Sequence, residues 1–184
     1  HDRNRDNLVR RTHRELLDGL KDEPHSEDVR RRAEVVGFPV HRRRFVGMVV
    51  RPRQPARDTD RLAEVAESVV RAAHSARTPA LVCEVEHDVV ALLSLTQSAD
   101  ERATVERVAG RLHAQHEVVI AAGRVAEDVT EVGRSLKEAE QVADAVPALA
   151  SDEHPVHRLE DLHLRGLLSL FGDDERISLF VERE

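Results

Sequence analysis

The feature that most constrains the fold is a pair of short apolar runs separated by a charged tip. Residues 80–84 and 89–95 are rich in β-branched and aliphatic side chains, and Glu86, His87 and Asp88 lie between them. Runs of this length and composition favour β-strands, and so short a polar link favours a hairpin. The sequence therefore predicts an antiparallel strand pair with a solvated turn at its tip.

Around this hairpin, strand-like runs alternate with stretches in which apolar residues recur at helical spacing. The predicted helices cover residues 4–21 and 26–35, three segments that begin at the capping residues Asp58, Asp100 and Thr130, and residues 162–171 and 176–184. The other predicted strands cover residues 44–50, 117–123 and 155–159. This order predicts an α+β fold in which helices cover a central antiparallel or mixed sheet.

Composition excludes several classes of protein. The 184 residues contain no apolar run near the roughly 18 that a membrane span needs, and no signal-peptide pattern, so we expect a cytoplasmic protein without membrane contact. A single cysteine, Cys83, excludes a disulfide framework and a Cys-rich zinc site. His113 and His116 are a pair at helical spacing, but no HExxH motif accompanies them. We therefore expect neither a metal site nor a cofactor.

The charge pattern bears on possible partners. A net charge of −7 and the absence of Trp and Tyr argue against a nucleic-acid-binding surface. Two short basic runs, residues 30–32 and 42–44, are exceptions. They are either solvated faces or contacts to an anionic ligand or partner.

Several motifs occur in an order that resembles a known family. They lie in the first helix, before the first strand, in the later helix and near the end of the chain: residues 15–20 (ELLDGL), 33–38 (AEVVGF), 135–140 (SLKEAE), 157–162 (HRLEDL), 167–168 (LL) and 180–184 (FVERE). The chain is similar to GGDEF domains, and in particular to the GGDEF-like central domain of PucR/CdaR-type bacterial transcriptional regulators. The resemblance covers residues 8–184.

The resemblance allows the chemistry of the related diguanylate cyclases to be tested. Those enzymes use two hairpin glycines to approach GTP, and acidic side chains to hold metal ions. The corresponding five positions here are residues 85–89, which contain no glycine, and Arg51 and Arg53 stand where a second carboxylate is required. We therefore expect a degenerate GGDEF-like domain that is not an enzyme.

For this chain the resemblance implies a non-catalytic module that couples an N-terminal sensory region to a C-terminal helix-turn-helix, so that DNA contact belongs to a domain outside this fragment. We expect residues 1–37 to be a helical linker and dimerisation segment, and residues 38–184 to be the regulatory domain. The apolar stripe of the first helix, Leu8, Leu16, Leu17 and Leu20, is the candidate homodimer contact. The alternative is that this stripe packs on its own domain.

A second function is also consistent with the sequence. The degenerate site could sense an unidentified small effector, a nucleotide or a purine-like metabolite. Its candidate ligand-binding residues are Arg51, Arg53, Glu86, His87 and Asp88, with the arginines on phosphate.

Overall fold

The computed structural model describes residues 2–54, 59–146 and 154–162. Its helices are α1 (Asp2–Asp22), α2 (Glu27–Val35), α3 (Thr59–Ser75), α4 (Glu101–His113) and α5 (Val132–Ala145), with a 3₁₀ turn at Val129–Glu131 before α5. Its strands are β1 (Arg44–Pro52), β2 (Ala80–Val85), β3 (Asp88–Leu95) and β4 (Val118–Ala122).

The four strands form one antiparallel sheet in the order β2-β3-β1-β4. Strands β2 and β3 are the predicted hairpin, and β1 lies in the middle, where Val49 is opposite both Val90 of β3 and Ala121 of β4. The predicted α+β fold is confirmed, and every pairing between these four strands is antiparallel. No helix in this part of the chain is long and apolar enough to cross a bilayer.

Helices cover both faces of the sheet. Helices α3 and α4 pack on one face, against side chains that include Met48, Leu93 and Ile120. Helices α1, α2 and α5 pack on the other face, against side chains that include Leu81, Leu92 and Val49. Because side chains alternate along each strand, every central strand contributes to two cores.

Side-chain caps fix where several helices begin. Ser26 Oγ accepts the Val29 N–H at 3.3 Å, and Asp100 Oδ1 accepts the Ala103 N–H at 3.1 Å, so Asp100 is a cap as the sequence predicts. The prediction that Thr130 caps the next helix is wrong. Thr130 lies inside the 3₁₀ turn, and Asp128 accepts its N–H at 2.8 Å. The predicted cap Asp58 lies outside the described residues.

The last predicted strand, residues 155–159, is reduced to one bridge. His157 pairs in parallel with Ala121, and its N–H and C=O bond to Ile120 and Ala122 on the outer edge of β4. Residues 159–162 then enter a helix, while the remainder of that predicted helix, and the one at 176–184, lie outside the described residues.

The first helix corrects the predicted dimer contact. Leu16, Leu17 and Leu20 are at most 3% exposed within a single chain, in a core with Leu81 and Cys83 of β2. They are therefore unavailable to a partner chain. These three leucines pack on their own domain, which is the alternative that the sequence left open. The reason is that β2 is an edge strand whose sheet face needs a helix over it. Leu8, in contrast, is 63% exposed.

The segment predicted as a separate linker takes part in the same core. Leu20 of α1 and Ala33 of α2 are both fully buried, in a cluster that also contains Phe45 of β1 and Leu92 of β3. Helices α1 and α2 thus pack on the sheet as its other helices do.

Candidate functional site

The hairpin tip is a two-residue turn. Strand β2 ends at Val85 and β3 begins at its partner Asp88, so Glu86 and His87 alone make the connection. Glu86 has a φ of 56°, in the left-handed region that glycine adopts most easily. Both turn side chains are exposed to solvent.

Next to the turn, Arg51 of β1 joins three parts of the fold. Its Nε and one terminal nitrogen donate to the two carboxylate oxygens of Asp88, at 2.8 and 3.0 Å. It also donates to Asp144 Oδ1 at 2.8 Å and to the Ala143 carbonyl at 3.2 Å, near the end of α5. The register of β1 and β3, which pairs Val50 with Val89, brings Arg51 beside Asp88.

In this geometry the positive charge of Arg51 and the negative charge of Asp88 each have a partner of opposite sign. The hydrogen bond to Asp88 is the largest cause that raises the pKa of Arg51, and the bond to Asp144 adds to it against the effect of burial. The Asp88 side chain is only 16% exposed, so it shares its charge with the guanidinium rather than with water. A guanidinium thus occupies the position beside Asp88 that a cation would take.

The structure therefore does not bring the five candidate ligand-binding residues together in one site. Arg51 and Asp88 form the ion pair, while Glu86 and His87 stay at the exposed tip. Arg53 lies just beyond the end of β1, where its N–H donates to the Glu117 carbonyl at 3.1 Å. The interpretation of the tip as a solvated turn describes Glu86 and His87, but not Asp88.

Asp144 is the residue that sequence reasoning missed. It lies in the last turn of α5, and nothing in the spacing of that helix connects it to the hairpin. An acidic residue at a helix C-terminus opposes the helix dipole, which is the one local signal that it has a partner elsewhere. Among the described residues, no group of three or more His, Cys, Asp or Glu side chains could hold a metal ion.

A cleft of about 380 Å³ opens between α1, α5 and the hairpin. Asp88 and Cys83 lie on its sheet wall, and Arg14, Lys21 and Lys137 supply positive charge from the two helices. Burial raises the pKa of the Cys83 thiol to about 11, so this cysteine stays protonated at neutral pH and is a poor nucleophile.

The fold and the site together define an α+β domain with helices on both faces of an antiparallel sheet, in which an arginine joins the central hairpin to β1 and α5. The chain belongs to the GGDEF-like domain family, whose model matches residues 21–145. The match begins within α1, inside the segment that the sequence assigned to a linker.

One solved structure has the same fold. The regulator of polyketide synthase expression from Bifidobacterium adolescentis superimposes with a TM-score of 0.58 at 18% identity, over 90% of this chain and 60% of that chain. The present chain thus spans less than two thirds of that protein. No curated protein sequence shows significant similarity to this chain.

Proposed function

We propose that this chain is a non-catalytic regulatory module of a PucR-family transcriptional regulator, which relays a signal from an N-terminal sensory region to a C-terminal DNA-binding domain. The observation that carries the proposal is the match of the GGDEF-like family model to residues 21–145. The Arg51–Asp88–Asp144 cluster fits a non-catalytic role, because its charge-assisted hydrogen bonds join the hairpin, the central strand and α5.

The same cluster argues against nucleotide cyclisation. A metal-dependent cyclase needs carboxylates free to coordinate cations that neutralise a triphosphate. Here both Asp88 oxygens accept hydrogen bonds from Arg51, and a divalent ion at this position would meet the positive charge of the guanidinium. Val85 and Glu86 supply side chains where the cyclases use glycine for close backbone approach.

The catalytic claim is tested by incubating the protein with GTP and Mg²⁺ and separating the nucleotides by chromatography, with an active diguanylate cyclase as positive control. We expect GTP to remain unchanged and no cyclic product to form. A product above the no-enzyme blank that disappears in Asp88→Ala would refute a non-catalytic role.

The place of the module in a larger regulator is tested by the coding sequence that follows Glu184. We expect a helix-turn-helix there, and a stop codon at that point would contradict the proposal. This chain by itself, with its net charge of −7, should show no sequence preference in a mobility-shift assay at physiological salt. Retention of one promoter fragment that survives competition by bulk DNA would contradict this.

We propose in addition that the module acts as a homodimer through the first half of α1. Leu8 and Val9 are adjacent and 63% and 47% exposed, so they present an apolar surface that the domain itself leaves uncovered. Light scattering at about 100 μM, above the range of micromolar interfaces, should give the dimer mass. Leu8→Glu should convert it to monomer, whereas Val70→Glu, at an exposed valine of α3, should not. A monomeric wild type would rule this contact out.

The second candidate function is a sensor of a small metabolite, and the cleft beside Asp88 favours it because its volume lies in the range of ligand sites. The expected phosphate contact from Arg51 does not suit this role, since the guanidinium is already bound to Asp88 and Asp144. Lys137 on α5 is the better candidate. A rise in melting temperature that is larger with GMP than with guanosine, and whose difference is lost in Lys137→Gln, would favour this function; no rise with either would count against it.

A further inference from the structure

A second cleft, of about 860 Å³, lies at the end of the sheet opposite the hairpin. Its walls come from α2, the loop between α2 and β1, and the segment before α5. This arrangement brings together the two basic runs of the sequence, because Arg30 and Arg31 face the cleft from α2 while Arg42 and Arg43 face it from the loop. Runs that lie ten residues apart in the chain thus share one surface.

Arg43 is the one of these four arginines whose guanidinium bonds to Ser94 of β3. Its Nε donates to Ser94 Oγ and a terminal nitrogen donates to the Ser94 carbonyl, both at 2.9 Å. Ser94 is fully buried, and its hydroxyl donates to the Pro39 carbonyl at 2.7 Å, so the direction of the guanidinium is fixed by a chain of hydrogen bonds. The side chain is held in place before any ligand arrives.

Both acceptors of Arg43 are neutral. Within the described residues no carboxylate oxygen lies within 4.0 Å of its guanidinium. Burial lowers the pKa of Arg43, and the more distant charge of Glu34 offsets only part of this shift. A partly buried cation normally has an anionic partner, since removing it from water is otherwise uncompensated. The position of Arg43 therefore calls for an anion from outside the chain.

The acidic residues of the cleft do not fill this role. Glu34 accepts the N–H groups of Val40 and His41 at 2.9 and 3.4 Å, and Asp128 accepts the N–H of Thr130. Glu27 and Glu127 lie on the exposed wall, and in the described part of the chain neither forms an ion pair with an arginine.

Two arginines at the mouth remain available. Arg31 and Arg42 are exposed, and among the described residues neither side chain has a hydrogen bond or an ion pair. Arg42 has a φ of 55°, a left-handed conformation that is uncommon for a residue with a long side chain. Such conformations persist where the surrounding structure holds them, and they concentrate at functional sites.

We propose that this cleft binds a small polyanion that carries phosphate or carboxylate groups, with Arg43 as the fixed inner contact and Arg31 and Arg42 as the outer contacts. Guanidinium groups suit both kinds of oxyanion because they donate two parallel hydrogen bonds. The site is separate from the degenerate hairpin and does not depend on the function proposed above.

The test is isothermal titration calorimetry with two probes, inorganic pyrophosphate and citrate, in buffers whose ionic strength is matched with NaCl. The variants are Arg31→Gln and Arg42→Gln, which remove charge at exposed positions and should leave the fold intact. Arg107→Gln is the matched control, since Arg107 is exposed on α4 outside the cleft. Thermal melts establish that all three variants are folded.

We expect at least one probe to bind, and each cleft variant to weaken the Kd about tenfold, the loss typical of one charge-assisted hydrogen bond. Arg107→Gln should bind as the wild type does, and the preferred probe identifies the oxyanion. The proposal is overturned if neither probe binds at millimolar concentration. It is equally overturned if the cleft variants bind as tightly as the control, because the attraction is then non-specific.

Discussion

The contact between Arg51 and Asp88 should be the stronger half of the cluster that holds the hairpin. The perturbation is a double-mutant cycle with Arg51→Met and Asp88→Ala, and a parallel cycle with Arg51→Met and Asp144→Ala. Methionine retains much of the aliphatic packing of arginine, so the change removes mainly charge and hydrogen bonds. The two cycles share one perturbation and differ only in the carboxylate.

The magnitudes follow from burial and geometry. Side-chain exposure is 27% for Arg51, 16% for Asp88 and 61% for Asp144, and only Asp88 is bound through both oxygens. Exposed ion pairs contribute about 0.2–1 kcal/mol, whereas breaking a buried pair costs about 3–5 kcal/mol. We therefore expect a coupling free energy of about 1–2 kcal/mol for Asp88 and about 0.5 kcal/mol or less for Asp144. Arg51→Met alone should cost about 2 kcal/mol because Asp88 then lacks its partner.

The assay is urea unfolding followed by circular dichroism, with the free energy of unfolding extrapolated to water for each variant. Equal slopes with denaturant would establish that the unfolded states are comparable. A coupling for Asp88 no larger than that for Asp144 would refute the reasoning, since burial and bidentate geometry would then have no energetic effect.

Three further perturbations test the packing. Leu20→Ala, at a fully buried position of α1, should lower the free energy of unfolding by about 2–5 kcal/mol. Leu8→Ala should change it by less than about 0.5 kcal/mol when urea unfolding is measured in protein dilute enough to be monomeric, and equal effects would contradict the docking of α1 on the sheet. Gly123→Ala should cost about 2 kcal/mol or more, because its Cβ would lie 1.9 Å from the Ser135 carbonyl oxygen, while Gly110→Ala, with nothing within 4 Å, should stabilise α4. His13 Nδ1 accepts the Val82 N–H at 3.1 Å, and burial lowers the pKa of His13 below its usual value. The contribution of neutral His13 to the free energy of unfolding should therefore be present above about pH 6.5 and be lost as pH falls through the lower folded pKa. His13→Gln should remove that part of the pH dependence of the urea midpoint, and an unchanged profile would contradict this.

Local patterns made most of the fold predictable. The hairpin and the capped helices follow from side-chain period and from caps such as Asp100, which act within three residues of themselves. The prediction that Thr130 is a helix cap is wrong for an equally local reason, because Asp128 lies two residues before it and accepts its N–H. A short 3₁₀ turn leaves no periodic signal by which the sequence could distinguish the two caps.

The apolar stripe of α1 is a case in which the local pattern predicts burial but not the surface that buries it. Leu16, Leu17 and Leu20 indicate that the helix buries one side, but burial against β2 and burial against a second copy require the same side chains. The polar contacts of α1 decide the matter: His13 bonds to Val82, and Arg10 pairs with Glu84 at 2.9 Å, both on the edge strand. These pairings connect residues about 70 positions apart, and no spacing rule relates them.

The sequence predicted which residues belong to the hairpin site, but not the contacts between them, because those contacts also join distant parts of the chain. The resemblance assigned Asp88 to the hairpin and Arg51 to the position of a second carboxylate in the same degenerate site, and it led to the expectation that positive charge would oppose a metal. That the two side chains bind each other, and that Asp144 joins them, depends on strand register and on the position of α5. Both are properties of the folded chain.

Each end of the sheet has a partly buried arginine, and the two differ in whether carboxylates of the chain neutralise them. At the hairpin, Arg51 has two carboxylates, so its charge is satisfied within the chain and the local structure needs no ligand. At the other end, and within the part of the chain that the structure describes, the guanidinium of Arg43 hydrogen-bonds only to the neutral oxygens of Ser94, although Glu34 is near enough to affect its pKa. Glu34 is directed instead at the backbone of Val40 and His41, where it orders the loop that carries Arg42 and Arg43. The chain therefore uses a carboxylate to shape the cleft rather than to neutralise it, and that is the arrangement expected when the neutralising anion is a ligand.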